Sequence, residues 1–311
     1  MKRSLPDVLR RGLDSTIANW PVIVLRIAES VLLIGIVIAS IIVAIVPAVV
    51  AAGLSKDDII NSSDPAAAVI EWLIGHLMLF VWMFALGFIV LGVLLAIHAF
   101  FEGGVAQIYV DAERNAKRVP VPDRDAFRAF SVDRWLAGGA ASWWRIFWLY
   151  NWAWSVGLLF VLVPLVLTIG GLILISDTAG RVVVGCIGLA IAIFVLIPVA
   201  IVVSIWCAKA ITICVARSLP ARESLRLAWR AIRTDLGRHL AVAVIAFVVS
   251  MAINSIVSAF SIPMTISSQH LPSLELFFTP VRLASGIVQS MVSAGIGCWL
   301  IACFVSMTEE P

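Results

Sequence analysis

The 311-residue chain is 62% hydrophobic and only 13% charged, with a mean hydropathy of +1.07. A soluble domain carries about 25% charged residues, and one of this length cannot hide so much apolar surface, so composition excludes a water-soluble globular protein and favours a polytopic membrane protein. The net charge of +3 is small, and where the charges fall along the chain says more than their sum.

Residues 4–20, SLPDVLRRGLDSTIANW, come first. At helical spacing Leu5, Leu9, Leu13, Ile17 and Trp20 form an apolar stripe, with Arg3, Asp7, Arg10, Arg11 and Asp14 opposite. The apolar run that follows, Val22 to Leu54, exceeds the roughly 7–15 residues of a leader's apolar region, so no cleavable leader is read. A membrane span needs about 20 mainly apolar residues. Six runs qualify, at 27–50, 72–99, 146–175, 182–208, 240–266 and 283–306. In lipid the backbone must satisfy its own hydrogen bonds, so these runs are expected to be helices and the fold all-α. Pro47, Pro164, Pro198 and Pro263 fall inside four of them and are expected to kink or end the helix.

Between spans four and five lies SLPARESLRLAWRAIRTDLGRH. On a helical wheel Arg222, Arg226, Arg230 and Arg233 fall on one stripe; Ala221, Leu225, Ala228, Trp229, Ile232 and Leu236 occupy the next. This pattern predicts a helix lying in the membrane surface, with its apolar face in the acyl boundary and its arginines toward anionic headgroups. A weaker copy begins at Pro122 with PDRDAFRAFSVDRW. The chain therefore reads as one membrane domain with a faint threefold repeat (1–100, 101–208, 209–311), each unit an amphipathic surface helix followed by a transmembrane hairpin.

Nineteen of the 22 Lys and Arg fall before Arg26, between 101 and 145, or between 209 and 239, counting Arg26 itself. The positive-inside rule places these segments, and both termini, in the cytoplasm. The runs HAFFEGGVAQIYVDAERNAKRVPVPDRDAFRAF and KAITICVARSLPARESLRLAWRAIR give a further lead. Their layout resembles a broad group of bacterial six-span proteins, which includes the membrane domain found ahead of some glycerophosphoryl diester phosphodiesterases. The likeness covers residues 70–306. It implies a multi-pass protein of the bacterial cytoplasmic (inner) membrane. No activity is carried over, because the catalytic barrel of the namesake proteins is a separate domain for which this chain has no room.

Candidate sites are few. No P-loop, HExxH or GxSxG motif occurs, and no catalytic residue, cofactor or metal site is read. The five cysteines form no CxxC pair and read as free, packed thiols. In span three, Trp144, Trp148 and Trp152 share a face near Asn151, which reads either as an interfacial belt with packing or as an aromatic pocket for an amphiphile. Trp20, Trp135, Trp206 and Trp229 fit the same belt. Ser250, Asn254 and Ser258 stripe span five, reading either as packing against Gly286, Ser290 and Ala294 of span six or as a hydrophilic path. Arg26 with Glu29, and His98 with Glu102, stand one turn apart at helical spacing and can pair. A Glu71–Arg282 pair joins the other ends of spans two and six if those helices adjoin. The expected partners are membrane lipids, anionic headgroups on the cytoplasmic side in particular, and not nucleic acid. The expected role is a non-enzymatic one, organising lipid or supporting the envelope or a partner. The alternative is a small permease or lipid carrier with a cavity lined by spans three and five.

Overall fold

The computed structural model describes residues 3–52, 75, 77–119, 122–175, 177–270 and 275–310, and the regular structure among them is helical throughout. Eight α-helices follow in order: α1 (Leu5–Ala18), α2 (Pro21–Ala52), α3 (Leu77–Ala116), α4 (Val132–Leu174), α5 (Thr178–Arg217), α6 (Ala221–Thr234), α7 (Leu236–His270) and α8 (Glu275–Thr308). Helices α2, α3, α4, α5, α7 and α8 are long and apolar enough to cross a membrane, which makes this an all-α polytopic membrane protein. Helix starts follow ordinary capping chemistry. The Ser4 hydroxyl accepts from the Asp7 amide, Ser131 from Arg134, and Asp177 from Ala179 and Gly180. Pro47, Pro164, Pro198 and Pro263 lie within α2, α4, α5 and α7, and none of them ends its helix. The Glu71–Arg282 pairing lies outside the described residues.

The chain divides into two compact units. Ala28–His98 forms a hairpin from α2 and the first part of α3, whose Ile34, Ile38, Phe84 and Phe88 are exposed, as side chains facing lipid would be. Within it, the Glu29 carboxylate meets His98 Nδ1 at 2.6 Å.

In the larger unit, residues 1–27 and 99–311, burial is graded along the helices. Val8, Tyr109, Phe127, Ile146, Leu149 and Phe304 are fully enclosed at the end that carries the basic connections. Toward the other end, Leu158, Leu159, Val166, Leu167, Leu174 and Phe194 are exposed. The packed end rests on close helix approach. Gly103 and Gly104 of α3 face Gly138, Gly139 and Ser142 of α4, and a Cβ on Gly139 would lie 2.9 Å from the Phe100 carbonyl. Small residues let two backbones come this near, as in other membrane helix pairs. Trp135 fills the adjoining space edge-on to Phe100 and Phe101, with ring centroids 5.5 and 5.0 Å away. It is therefore a core residue and not part of an interfacial belt.

Two surface elements differ from expectation. The segment from Pro122 contains only a 3-10 turn, Asp125–Phe127, followed by extended chain to Ser131, so the middle unit has no separate amphipathic helix. Asn19 explains why. Its side-chain amide donates to the Phe127 carbonyl at 2.8 Å, and its Oδ1 accepts from the amides of Ala129 and Phe130. Those backbone groups are engaged by Asn19 instead of by a helical ladder.

In α1 the buried face is only partly the apolar stripe, of which Leu5 and Leu9 pack against the core. Val8, Gly12, Ser15, Thr16 and Asn19 are enclosed, while Leu13, Ile17 and Trp20 point outward. Helix α8 takes the small-residue face: Trp299 Nε1 donates to the Leu9 carbonyl at 3.1 Å, and a Cβ on Gly12 would sit 3.1 Å from the Cys303 amide.

Candidate functional site

The site is built around α6. Helix α5 ends at Ser218, whose left-handed conformation (φ 53°) reverses the chain, and Pro220 then precedes the first turn of α6. Ala221, Ser224, Leu225, Ala228 and Ile232 are buried, and α6 packs on α5 and α4. Trp206 of α5 fixes the seating by donating from Nε1 to the Leu225 carbonyl at 2.8 Å. This corrects the expected placement: most of the apolar stripe of α6 is covered by protein and not by the acyl boundary. Only Trp229, edge-on to Trp206 at 5.7 Å, and Leu236 at the start of α7 remain substantially exposed from it.

The cationic stripe is outward. Arg222, Arg226, Arg230 and Arg233 are all exposed. Arg222 lies over the Trp152 ring, 4.3 Å from its centroid, which ties α6 to α4 through a cation–π contact. A cleft of about 620 Å³ opens beside it, lined by Trp144, Arg145, Trp148, Pro220, Ala221, Arg222, Glu223 and Arg226. Three arginines against one glutamate leave its lining net positive. Arg226 also borders a second, apolar groove of about 510 Å³ between α4 and α5, lined by Val156, Gly157, Phe160, Pro198, Val199, Val202, Val203, Trp206 and Trp229.

Ion pairing separates two populations of arginine. Those inside the packed end are matched. Arg3 and Arg11 meet the buried Glu113 at 2.7 and 2.8 Å, and Arg26 meets Glu102 at 2.5 Å. Arg238 pairs with Glu310 and Asp235, and Arg114 and Lys117 share Glu309. Partial burial acting alone would raise the Glu309 carboxyl, but the hydrogen bonds and charges of Lys117 and Arg114 outweigh it and hold it below the ordinary carboxylate range. Around the cleft the pattern reverses. Among the described residues no carboxylate lies within ion-pair distance of Arg145, Arg222, Arg226, Arg230 or Arg233.

The other sequence candidates are dispersed. Arg10 is exposed and reaches Asp14 at 3.8 Å. Arg11 is half-buried, forks onto Glu113 and covers the Phe127 ring, so it is a structural ligand of the core and not an outward lipid contact. Asn151 donates to the Phe147 carbonyl of its own helix, while its neighbour Trp152 belongs to the α6 contact. Ser250, Asn254 and Ser258 are half-buried on α7, with Asn254 donating to Ser250 Oγ at 3.2 Å, and they line neither cavity of the site. On α8, which packs on α7, Gly286 and Ser290 are exposed and Ala294 is half-buried, and a Cβ on Gly286 would meet nothing within 4 Å. Arg26, Glu29, His98 and Glu102 gain partners across helices, Arg26–Glu102 and Glu29–His98, that spacing along one helix does not reveal. Glu102 also borders a cavity of about 150 Å³ with Tyr150, Trp154, Ser204 and Cys207. No group of three metal-type donors converges among the described residues.

Sequence reasoning missed Arg145 as a site residue, having counted it only as a topological charge. Its spacing offered a signal: it directly follows Trp144 and precedes Trp148 by three residues, on the span that carries the aromatic face. Comparison with models of protein families, with curated proteins and with solved structures finds no match to this chain.

Proposed function

We propose that this is a non-enzymatic protein of the bacterial cytoplasmic membrane, with both termini in the cytoplasm, that binds anionic lipid headgroups at its basic end. The observation that carries this reading is the four exposed arginines of α6 with the half-buried Arg145, none with a carboxylate in ion-pair distance among the described residues; Arg145, Arg222 and Arg226 stand beside Trp144 and Trp148, and Arg222 covers Trp152. A cation left unpaired at a membrane surface meets phosphate as its nearest counterion, and guanidinium groups bind phosphate with two parallel hydrogen bonds. The tryptophans suit the same depth, with apolar rings in the acyl boundary and NH groups at headgroup level. The outward Leu13 and Ile17 of α1, with Trp20 just after it, support an interfacial position for that helix as well. The resemblance of its sequence layout to the bacterial six-span group supports this membrane assignment. Holding lipid at a packed, charge-matched cytoplasmic end is a lipid-organising or envelope-supporting task.

The test is ligand-induced stabilisation of the detergent-purified protein. Dioleoyl-phosphatidylglycerol is expected to raise the unfolding temperature, and dioleoyl-phosphatidylcholine is expected to do so far less. Each surface arginine contributes about 1 kcal/mol toward an anionic leaflet, so the double variant Arg222→Gln/Arg226→Gln should lose about 2 kcal/mol, or roughly thirtyfold in anionic-lipid affinity. Equal stabilisation by the two lipids, or an undiminished preference in the double variant, would contradict the reading.

A further inference from the structure

We infer that the apolar groove between α4 and α5 holds one acyl chain of the anionic lipid whose headgroup meets Arg145, Arg222 and Arg226. The inference rests on the headgroup reading above and adds the identity of the occupant: a long-chain anionic lipid, not a soluble phosphate compound.

The groove is concave for a local reason. Gly157 contributes no side chain and is itself buried, and a Cβ there would stand 3.0 Å from Val203 Cγ2. Val199 and Val203 form the floor opposite it, with Val156 and Phe160 on one wall and Pro198 and Val202 on the other. Trp206 and Trp229 close the end next to α6. From Trp206 to Pro198 the groove follows eight residues of α5, about 12 Å at 1.5 Å per residue. That depth is close to one leaflet's share, about 15 Å, of the hydrocarbon core.

Charge chooses among the occupants. Arg226 is the one charged residue among the described residues of the groove, which it lines with its aliphatic stem, and it lines the arginine–tryptophan cleft as well. The two cavities thus meet along one arginine side chain, with unpaired positive charge on one side of it and pure hydrocarbon on the other. An occupant with an anionic head and an apolar tail satisfies both at once. A soluble phosphate leaves the groove empty of matching chemistry, and an apolar helix of a second copy brings no counter-charge to Arg226.

The experiment is native mass spectrometry of the full chain released from detergent, titrated with dioleoyl-phosphatidylglycerol, dihexanoyl-phosphatidylglycerol, glycerol 3-phosphate and dioleoyl-phosphatidylcholine. Wild type is expected to hold the dioleoyl anionic lipid at least tenfold more tightly than the dihexanoyl form, and glycerol 3-phosphate more weakly still. Val202→Trp and, from the facing wall, Val156→Trp place an indole in the groove at exposed positions; Val166→Trp on α4, exposed outside the groove, is the control. Both groove variants should reduce dioleoyl binding to the dihexanoyl level while keeping the preference for anionic over zwitterionic heads, and Val166→Trp should change neither. The inference is overturned if chain length has no effect in wild type, if both groove variants bind like the control, or if they change the oligomeric mass, which would make the groove a contact between copies. If Arg222→Gln/Arg226→Gln leaves headgroup preference intact, the headgroup reading fails. If it removes that preference while Val202→Trp leaves chain dependence untouched, the groove assignment alone fails.

Discussion

Replacing Glu113 with alanine is expected to cost about 3–5 kcal/mol of stability, because it strips the shared anion from two cations held inside the packed end. The Glu113 carboxylate is 3% exposed and receives Arg3 Nη1 at 2.7 Å and Arg11 Nη2 at 2.8 Å, with Arg11 Nε a further donor at 3.1 Å. Arg3 also donates to the carbonyl and hydroxyl of Ser306, and Arg11 stacks on Phe127. One carboxylate of α3 therefore joins the N-terminal segment, the α3–α4 link and α8. Neither arginine can turn to water without giving up these further contacts, so each would stay partly buried with its main counter-charge gone. Glu113→Gln keeps the shape and part of the hydrogen bonding but not the charge, and should fall between wild type and alanine. Thermal unfolding in a neutral detergent measures the difference. An unchanged midpoint for Glu113→Ala would show that these arginines find water or other partners at no cost.

Gly104→Leu is expected to be at least as damaging, about 3 kcal/mol or more, through overpacking. A Cβ at Gly104 would lie 2.5 Å from Trp135 Nε1 and 2.7 Å from the Trp135 carbonyl, inside any tolerable contact. The backbone carbonyl cannot swing away without moving α4. The indole is held edge-on by Phe100 and Phe101, which belong to the same α3 surface. Relief therefore requires parting the two helices along the glycine seam. Gly87→Ala on α3 is the matched control, since its added methyl meets nothing within 4 Å. The yield of folded protein after solubilisation, with the unfolding midpoint of what remains, reads the effect. Equal behaviour of Gly104→Leu and Gly87→Ala would show that α3 and α4 are not in contact here.

These two sites also show where sequence stops informing structure. Hydropathy located the six membrane-crossing segments but not the lengths of their helices. Helix α3 continues to Ala116 from a run that ends at 99, and α4 starts at Val132, before a run that begins at 146. These extensions carry charge and small residues, which an apolar window discards, yet they make the seam that holds the packed end. In α6 the separation of exposed arginines from buried residues was legible in their spacing. It did not say whether lipid or protein covers the apolar face, because both are equally apolar. Helix α1 makes the same point in reverse, burying Gly12, Ser15 and Thr16 with Val8 while Leu13 and Ile17 face out. Spacing along one helix reveals only partners on that helix, so Glu113, Asn19 and the Arg26–Glu102 pair were invisible. The apolar groove was hidden for a related reason: Gly157 and Pro198 matter there only because α4 and α5 lie side by side.

Everything proposed for the arginine face depends on which side of the membrane it occupies, and thiol labelling in intact cells tests that directly. Arg230→Cys on α6 and Asp177→Cys at the opposite end of α5 are each exposed positions, and each is made with Cys186 changed to Ser so that the one exposed native thiol does not interfere. With a membrane-impermeant maleimide, Asp177→Cys should label in intact cells and Arg230→Cys only after the membrane is permeabilised. Labelling of Arg230→Cys from outside intact cells would place the arginine face away from the cytoplasm and contradict the account.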